Sequence, residues 1–151
     1  MVTIYDVANW FLANSPDVNN KKLQKLVYYA YAWFLTLNNE NADELSNRLF
    51  DNRFEAWMHG AADPRLYEKY KMYGYKTIPK TQDNSDMFSP DELDVLQQVN
   101  EVYGELNGNA LESICHQELP WQNARNGLPP NAPSHNPIAD VDMFNCYASR
   151  L

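Results

Sequence analysis

Glu55, His59, His116 and Arg125 carry the types and spacings from which chemistry could be built. On a helix, Glu55 and His59 are four residues apart and share a face, which would make half of a metal or acid–base site. A surface ion pair or a hydrogen-bonded polar edge is the commoner use of such a pair, and it is adopted here. His116 opens the run His116-Gln117-Glu118-Leu119-Pro120-Trp121, with Arg125 following. A His, a Glu and an Arg beside a Trp could hold an anionic ligand. The preferred alternative is that His116 and Gln117 bond backbone groups at a helix end while Trp121 fills the core. His135 sits among prolines and is assigned no role. Cys115 adjoins His116, but helix neighbours point in different directions, so no Cys–His nucleophile is expected. The sequence holds no phosphate-cradling glycine loop, no H-E-x-x-H helix and no G-x-S-x-G elbow. The expectation is a protein that is not an enzyme, with no catalytic residues, no metal and no cofactor.

Tyr67-Glu-Lys-Tyr70-Lys-Met-Tyr73-Gly74-Tyr75-Lys76 is the one stretch that interleaves aromatic and basic residues, as a single-strand stacking platform would. Its apolar spacing suits core packing better. The chain also carries a net charge of -8 and a pI near 4.7, against the basic footprint that phosphate binding requires. No direct nucleic-acid binding is expected, and the acidic surface suits steering of a basic partner.

These residues need elements to position them. A chain of 151 residues makes one domain, residues 1–151, able to fold on a single core. Ten Tyr, six Phe and four Trp must be placed largely in a core or an interface. Cys115 and Cys146 form no paired framework and read as free thiols. With no signal-like start and no apolar run of about 18 residues, the expectation is a cytoplasmic protein without membrane contact.

Thr3 and Asp6 make a capping box ahead of Val7, Trp10 and Phe11, and Asn14-Ser15-Pro16 ends that helix. From Asn20 to Leu37, Leu23, Leu26, Val27, Ala30, Phe34 and Leu37 keep helical spacing. Aromatic residues fill the other faces, which predicts a buried central helix entered by a polar turn at Lys21, Lys22, Gln24 and Lys25. Arg53 to Gly60 is a short helical or strand-like element. Pro64 opens a helix that ends at Gly74. Residues 75–88 read as a mobile loop. Ser89-Pro90-Asp91-Glu92 caps a helix that Gly108 stops. Asn109 and Glu112 start another, ended by Pro120, and Asn136-Pro137 cap a last helix bearing Ile138, Val141 and Phe144. The fold expected is all-α, a compact single-domain bundle of about six or seven helices around the central apolar helix.

The order of four sequence pieces resembles the Panacea antitoxin domain family (SocA-like, with a phage-associated GepA type). They are Asp6 to Leu12; Lys22-Leu-Gln24-Lys25-Leu-Val-Tyr28-Tyr-Ala30; Phe54-Glu55-Ala-Trp57 with Gly60, Pro64, Tyr67 and Gly74; and His116-Gln117, Pro120-Trp121 and Ala124-Arg125. One departure stands at Gly60, which is followed by Ala61-Ala62-Asp63 where the family usually has Pro, and a loosened turn is expected there. The resemblance implies a helical fold and an antitoxin of a bacterial or phage toxin–antitoxin pair. Such a protein neutralises a cognate protein toxin by direct binding, the toxin being the product of the adjacent gene. An alternative implied by one relative is a proteolytic adaptor that delivers a toxin to a protease; a third is an enzyme that reverses toxin damage. The motif residues are expected to be mostly structural. Tyr67, Tyr70, Tyr73, Tyr75 and Lys76 are the expected toxin-binding surface.

Overall fold

In the computed structural model, which describes residues 1–151, the helices start where local capping chemistry places them. α1 (Ile4–Asn14) begins at a complete capping box between Thr3 and Asp6. α2 (Asn20–Leu37) is capped by the Asn19 side chain. α3 (Pro64–Tyr70) has Asp63 as its cap and Pro at its first position, and a 3-10 turn at Lys71–Tyr73 carries the chain to Gly74 at φ 58. α4 (Pro90–Tyr103) has the Ser89/Glu92 box. Each of these caps satisfies orphan N–H groups within three or four residues, so sequence spacing alone is enough to locate them.

The later elements depart from expectation. α4 stops at Tyr103, and Asn107 rather than Asn109 caps α5 (Gly108–His116). Gly108 thus opens a helix instead of stopping one. A Cβ there would meet Lys21 Cβ at 3.2 Å and the Lys22 backbone N at 3.2 Å, so the missing side chain lets α5 lie close on α2. Pro120 does not end α5; it sits in the first turn of α6 (Leu119–Arg125), which completes a set of seven helices with α7 (Asp140–Ala148). Proline suits a helix start because its missing N–H is an orphan there anyway. α7 begins at Asp140 after Ala139, without a side-chain cap, and its Val141 is exposed.

α2 is the axis of the molecule. It packs against α1, α4, α5 and α7, and Leu23, Leu26, Val27, Ala30 and Leu35 are all 0% exposed. Its expected polar entry is wrong in detail. Lys22, Gln24 and Lys25 are each 2% exposed, while Leu37 at the far end is largely exposed. Residues 75–88, expected as a mobile loop, lie as a strap along α1. Ile78 N donates to Val18 O at 2.8 Å, Thr81 Oγ1 to Asn9 O at 2.7 Å and Trp10 Nε1 to Ser85 Oγ at 2.8 Å.

The stretch read as a short helix or strand is a hairpin, β1 (Glu55–Trp57) antiparallel to β2 (Gly60–Ala62), with Ala56 opposite Ala61. It is a small exception to an otherwise helical architecture. The turn is not loosened by Ala61-Ala62: both residues are in the ladder, and Gly60 makes the reversal at φ 102. Gly60→Ala is expected to lose roughly 1–3 kcal/mol, because a left-handed φ is strained for any residue with a Cβ. The new Cβ would also fall 2.7 Å from Lys25 Cε, in a buried place. Urea denaturation measures this, and an unchanged midpoint would refute it.

Candidate functional site

A lone two-stranded hairpin is marginal, and its outer edges expose unpaired backbone groups. Here those groups are met by side chains from helices far away in sequence. Lys25 Nζ donates to Ala61 O at 3.0 Å. Gln24 Oε1 accepts from Asp63 N at 3.0 Å, while its amide donates to Asn20 Oδ1. Across the hairpin, Arg125 Nη1 donates to Ala56 O at 3.2 Å and Arg125 Nη2 to Pro129 O and Ala132 O at 2.7 and 2.6 Å. Trp121 Nε1 donates to Trp57 O at 2.8 Å, and His116 Nε2 to Met58 O at 2.8 Å. The segment after α6 returns to close the same edge: Ala56 N donates to Asn136 O at 2.8 Å and Ile138 N to Phe54 O at 2.9 Å.

His116 and Arg125 flank Trp121, the imidazole stacked at 4.2 Å and the guanidinium carbon 4.7 Å from the ring centroid. Burial holds His116 below the usual histidine range, so it stays neutral as a donor to Met58 O at physiological pH. With His116 Nε2 and both terminal nitrogens of Arg125 on carbonyls, and only Arg125 Nε without a partner, the two side chains are backbone clamps rather than ligands for an anion. Gln117 turns its amide to Ser113 O of its own helix, and Pro120 is buried. Cys115 is buried and pushed up to about 11 by desolvation, a protonated thiol without nucleophilic character.

Glu55 and His59 do not meet, because a hairpin rather than a helix carries them. Glu55 Oε1 instead accepts from His135 Nδ1 at 3.0 Å and Trp57 Nε1 at 2.7 Å. His59 Nδ1 donates to Glu112 Oε2 at 3.3 Å, and Lys21 binds the other oxygen of the same carboxylate. Burial opposes ionisation of Glu112, but the Lys21 and His59 hydrogen bonds outweigh it and hold the carboxyl below its ordinary value. Sequence reasoning gave His135 no role; the signal it missed is non-local, a residue of the segment after α6 brought to Glu55 across 80 positions.

Lys22 and Lys25 are equally buried but differ in company. Lys22 Nζ donates to Pro16 O at 2.7 Å and Gly104 O at 2.6 Å, tying α2 to the turns beside it. Lys25 has one carbonyl and no carboxylate partner, and burial lowers it to about 8. The unfolded chain keeps that proton up to the ordinary lysine range while the folded chain releases it near 8. Stability from this group therefore rises as pH climbs between the two values. Lys25→Met is expected to stabilise the fold by about 1–3 kcal/mol at pH 7, with the gain shrinking at pH 9. The difference between the two urea curves reads Lys25 together with its charge coupling to Cys115 and His116. A variant less stable than its parent at pH 7 would refute this.

Above the hairpin lies a groove of about 460 Å³, walled by Trp57 and Tyr67 and floored by Lys25 and Gly60, with His59, Lys71, Tyr75 and His135 at its edges. Trp57 is half-buried and meets Tyr67 edge-on at 5.1 Å. Of the expected toxin-binding residues, Tyr67 and Tyr75 line this groove. Tyr70 and Tyr73 pack partly into the core 6.5 Å from one another. Tyr28 is wholly internal, edge-on to Phe54 at 5.3 Å.

Such a frame defines a mainly helical domain whose polar signature residues serve the backbone of a small hairpin and leave a groove open above it. Residues 23–122 match the family model described as antitoxin SocA-like, Panacea domain. The chain belongs to that family. No curated protein and no solved structure matches it. The family points to an antitoxin-type, non-enzymatic role and to a toxin as partner in general terms. No helix is long and apolar enough to cross a membrane.

Proposed function

We propose that the chain is the antitoxin of a bacterial or phage toxin–antitoxin pair, acting in the cytoplasm by stoichiometric binding of the toxin encoded by the adjacent gene. The family match over residues 23–122 carries this reading. Gln24, Lys25, His116, Trp121 and Arg125 of the motif are occupied with backbone groups of the hairpin and its exit, which leaves other residues to vary toward a partner. The surface proposed for the toxin runs from Tyr67, Tyr70 and Tyr73 over Tyr75 and Lys76. Met72 at 79% and Tyr75 at 93% exposure supply the apolar and aromatic anchors that binding hot spots favour.

Co-expression with the adjacent gene tests the function, and size exclusion of the two purified proteins tests the mechanism. Rescue of growth with a one-to-one complex is expected. Rescue with no complex, and with toxin levels that fall only when a protease is present, would replace this reading by an adaptor. Tyr75→Asp with Met72→Asp is expected to abolish rescue without lowering the melting temperature, since both side chains are in water. Unchanged rescue would move the interface elsewhere.

A further inference from the structure

Lys25 is 2% exposed, yet its ammonium has a single partner, Ala61 O. An ammonium carries three donors, and a buried cation without an opposite charge is costly. Equally buried Lys22 shows the ordinary solution, two carbonyls within 2.7 Å and no place in the groove wall. Lys25 differs on both counts: it is short of partners and it lines the groove.

The other formally charged groups of the lining, Lys21 and Lys71, have the same sign. Lys21, Lys25, Lys71, His59 and His135 contribute to the groove and no Asp or Glu does, in a chain of net charge -8. Three of the chain's seven lysines line this groove. The other polar groups of the rim already have carboxylate partners: Glu112 for Lys21 and His59, Glu55 for His135, Glu68 for Lys71. Lys25 on the floor has none. The walls are aromatic, and the volume of about 460 Å³ falls within the span of small-ligand sites.

We propose that this groove binds a small planar organic anion, a phosphate or carboxylate carried on an aromatic ring, with the anionic group on Lys25 and the ring against Trp57 and Tyr67. The anion supplies the acceptors that the Lys25 ammonium lacks. The indole and phenol supply the apolar body of the site, and the absent side chain of Gly60 leaves the approach to Lys25 Nζ open. The groove shares Tyr67 and Tyr75 with the proposed toxin surface, but Lys25 on its floor and Trp57 in its wall lie outside that surface.

Isothermal titration of the full chain at pH 7, where Lys25 is protonated, tests it. The probes are phenyl phosphate, benzoate and adenosine 5′-monophosphate, with phenol and adenosine as uncharged controls and inorganic phosphate as the ring-free control. Saturable one-to-one binding is expected for the charged aromatic probes and none for phenol or adenosine. Lys25→Met, expected to fold at least as well as its parent, should weaken binding about tenfold or more. Tyr67→Ala should weaken it with Lys25 intact. Failure of all three charged probes to saturate, or equal affinity in Lys25→Met, overturns the site. Inorganic phosphate binding as tightly as phenyl phosphate overturns the role of the ring. No toxin is present in the titration, so its failure leaves the antitoxin reading standing.

Discussion

Arg125→Ala is expected to destabilise the fold by roughly 3–5 kcal/mol, a large share of what a domain of this size has. Arg125 is 2% exposed, and its guanidinium bonds three carbonyls, one in β1 and two in the segment after α6. Truncation removes all three donors at once and leaves Ala56 O, Pro129 O and Ala132 O in a place where each lost charged hydrogen bond is worth roughly 1.5–3 kcal/mol. The losses do not add fully, because residues 126–137 can swing out and solvate their own carbonyls. That release is itself readable: limited proteolysis should cut the variant between residues 126 and 136 well before the parent. Arg125→Lys is expected to recover only part of the loss, since a point ammonium cannot reproduce the planar fork that reaches β1 and the segment after α6 together. Urea denaturation gives the magnitude, and a loss below about 1 kcal/mol would show that the hairpin holds itself.

The second large effect is expected at Glu118, which precedes α6 and turns its side chain into the core. One oxygen accepts from Tyr29 OH at 2.7 Å and Tyr147 OH at 2.9 Å, the other from Arg150 Nη2 at 2.7 Å. Glu118→Leu should cost about 2–4 kcal/mol. Arg150, 44% exposed, can return to water, but Tyr29 is wholly buried and loses its acceptor. Tyr147 keeps only a long contact to Tyr28 OH at 3.4 Å. Glu118→Gln should cost roughly 1 kcal/mol, because the amide oxygen still accepts from both phenols and only the half-exposed ion pair is lost. The ordering of the two variants is the test: equal losses would mean that the Arg150 pair, not the tyrosine hydroxyls, carries the energy. Burial pushes Tyr28, Tyr29 and Tyr147 well above the usual tyrosine range, so all three remain donors throughout physiological pH.

Both sites show where sequence reasoning has reach. The sequence by itself determined the elements whose causes lie within a turn of chain. These are the boxes at Thr3/Asp6 and Ser89/Glu92, the proline start at Pro64, the glycine stop at Gly74 and the unbroken apolar surface of α2 from Asn20 to Leu37. It also determined the family, through the order of four short motifs. Tertiary structure alone decided what those motifs do. Lys22, Gln24 and Lys25 look like a solvated entry turn, and His116 and Arg125 like candidates for an anion. Their partners are backbone carbonyls and amides, which every residue possesses and which leave no mark in a sequence. Lys25 meets Ala61 across 36 positions and Arg125 meets Ala56 across 69. A cap is chosen by its immediate neighbours, but the polar groups of a hairpin edge are satisfied by whatever the packing of helices brings to them. That packing buries three cations in an acidic chain and sets one of them, Lys25, at the floor of a groove with a single carbonyl on its ammonium.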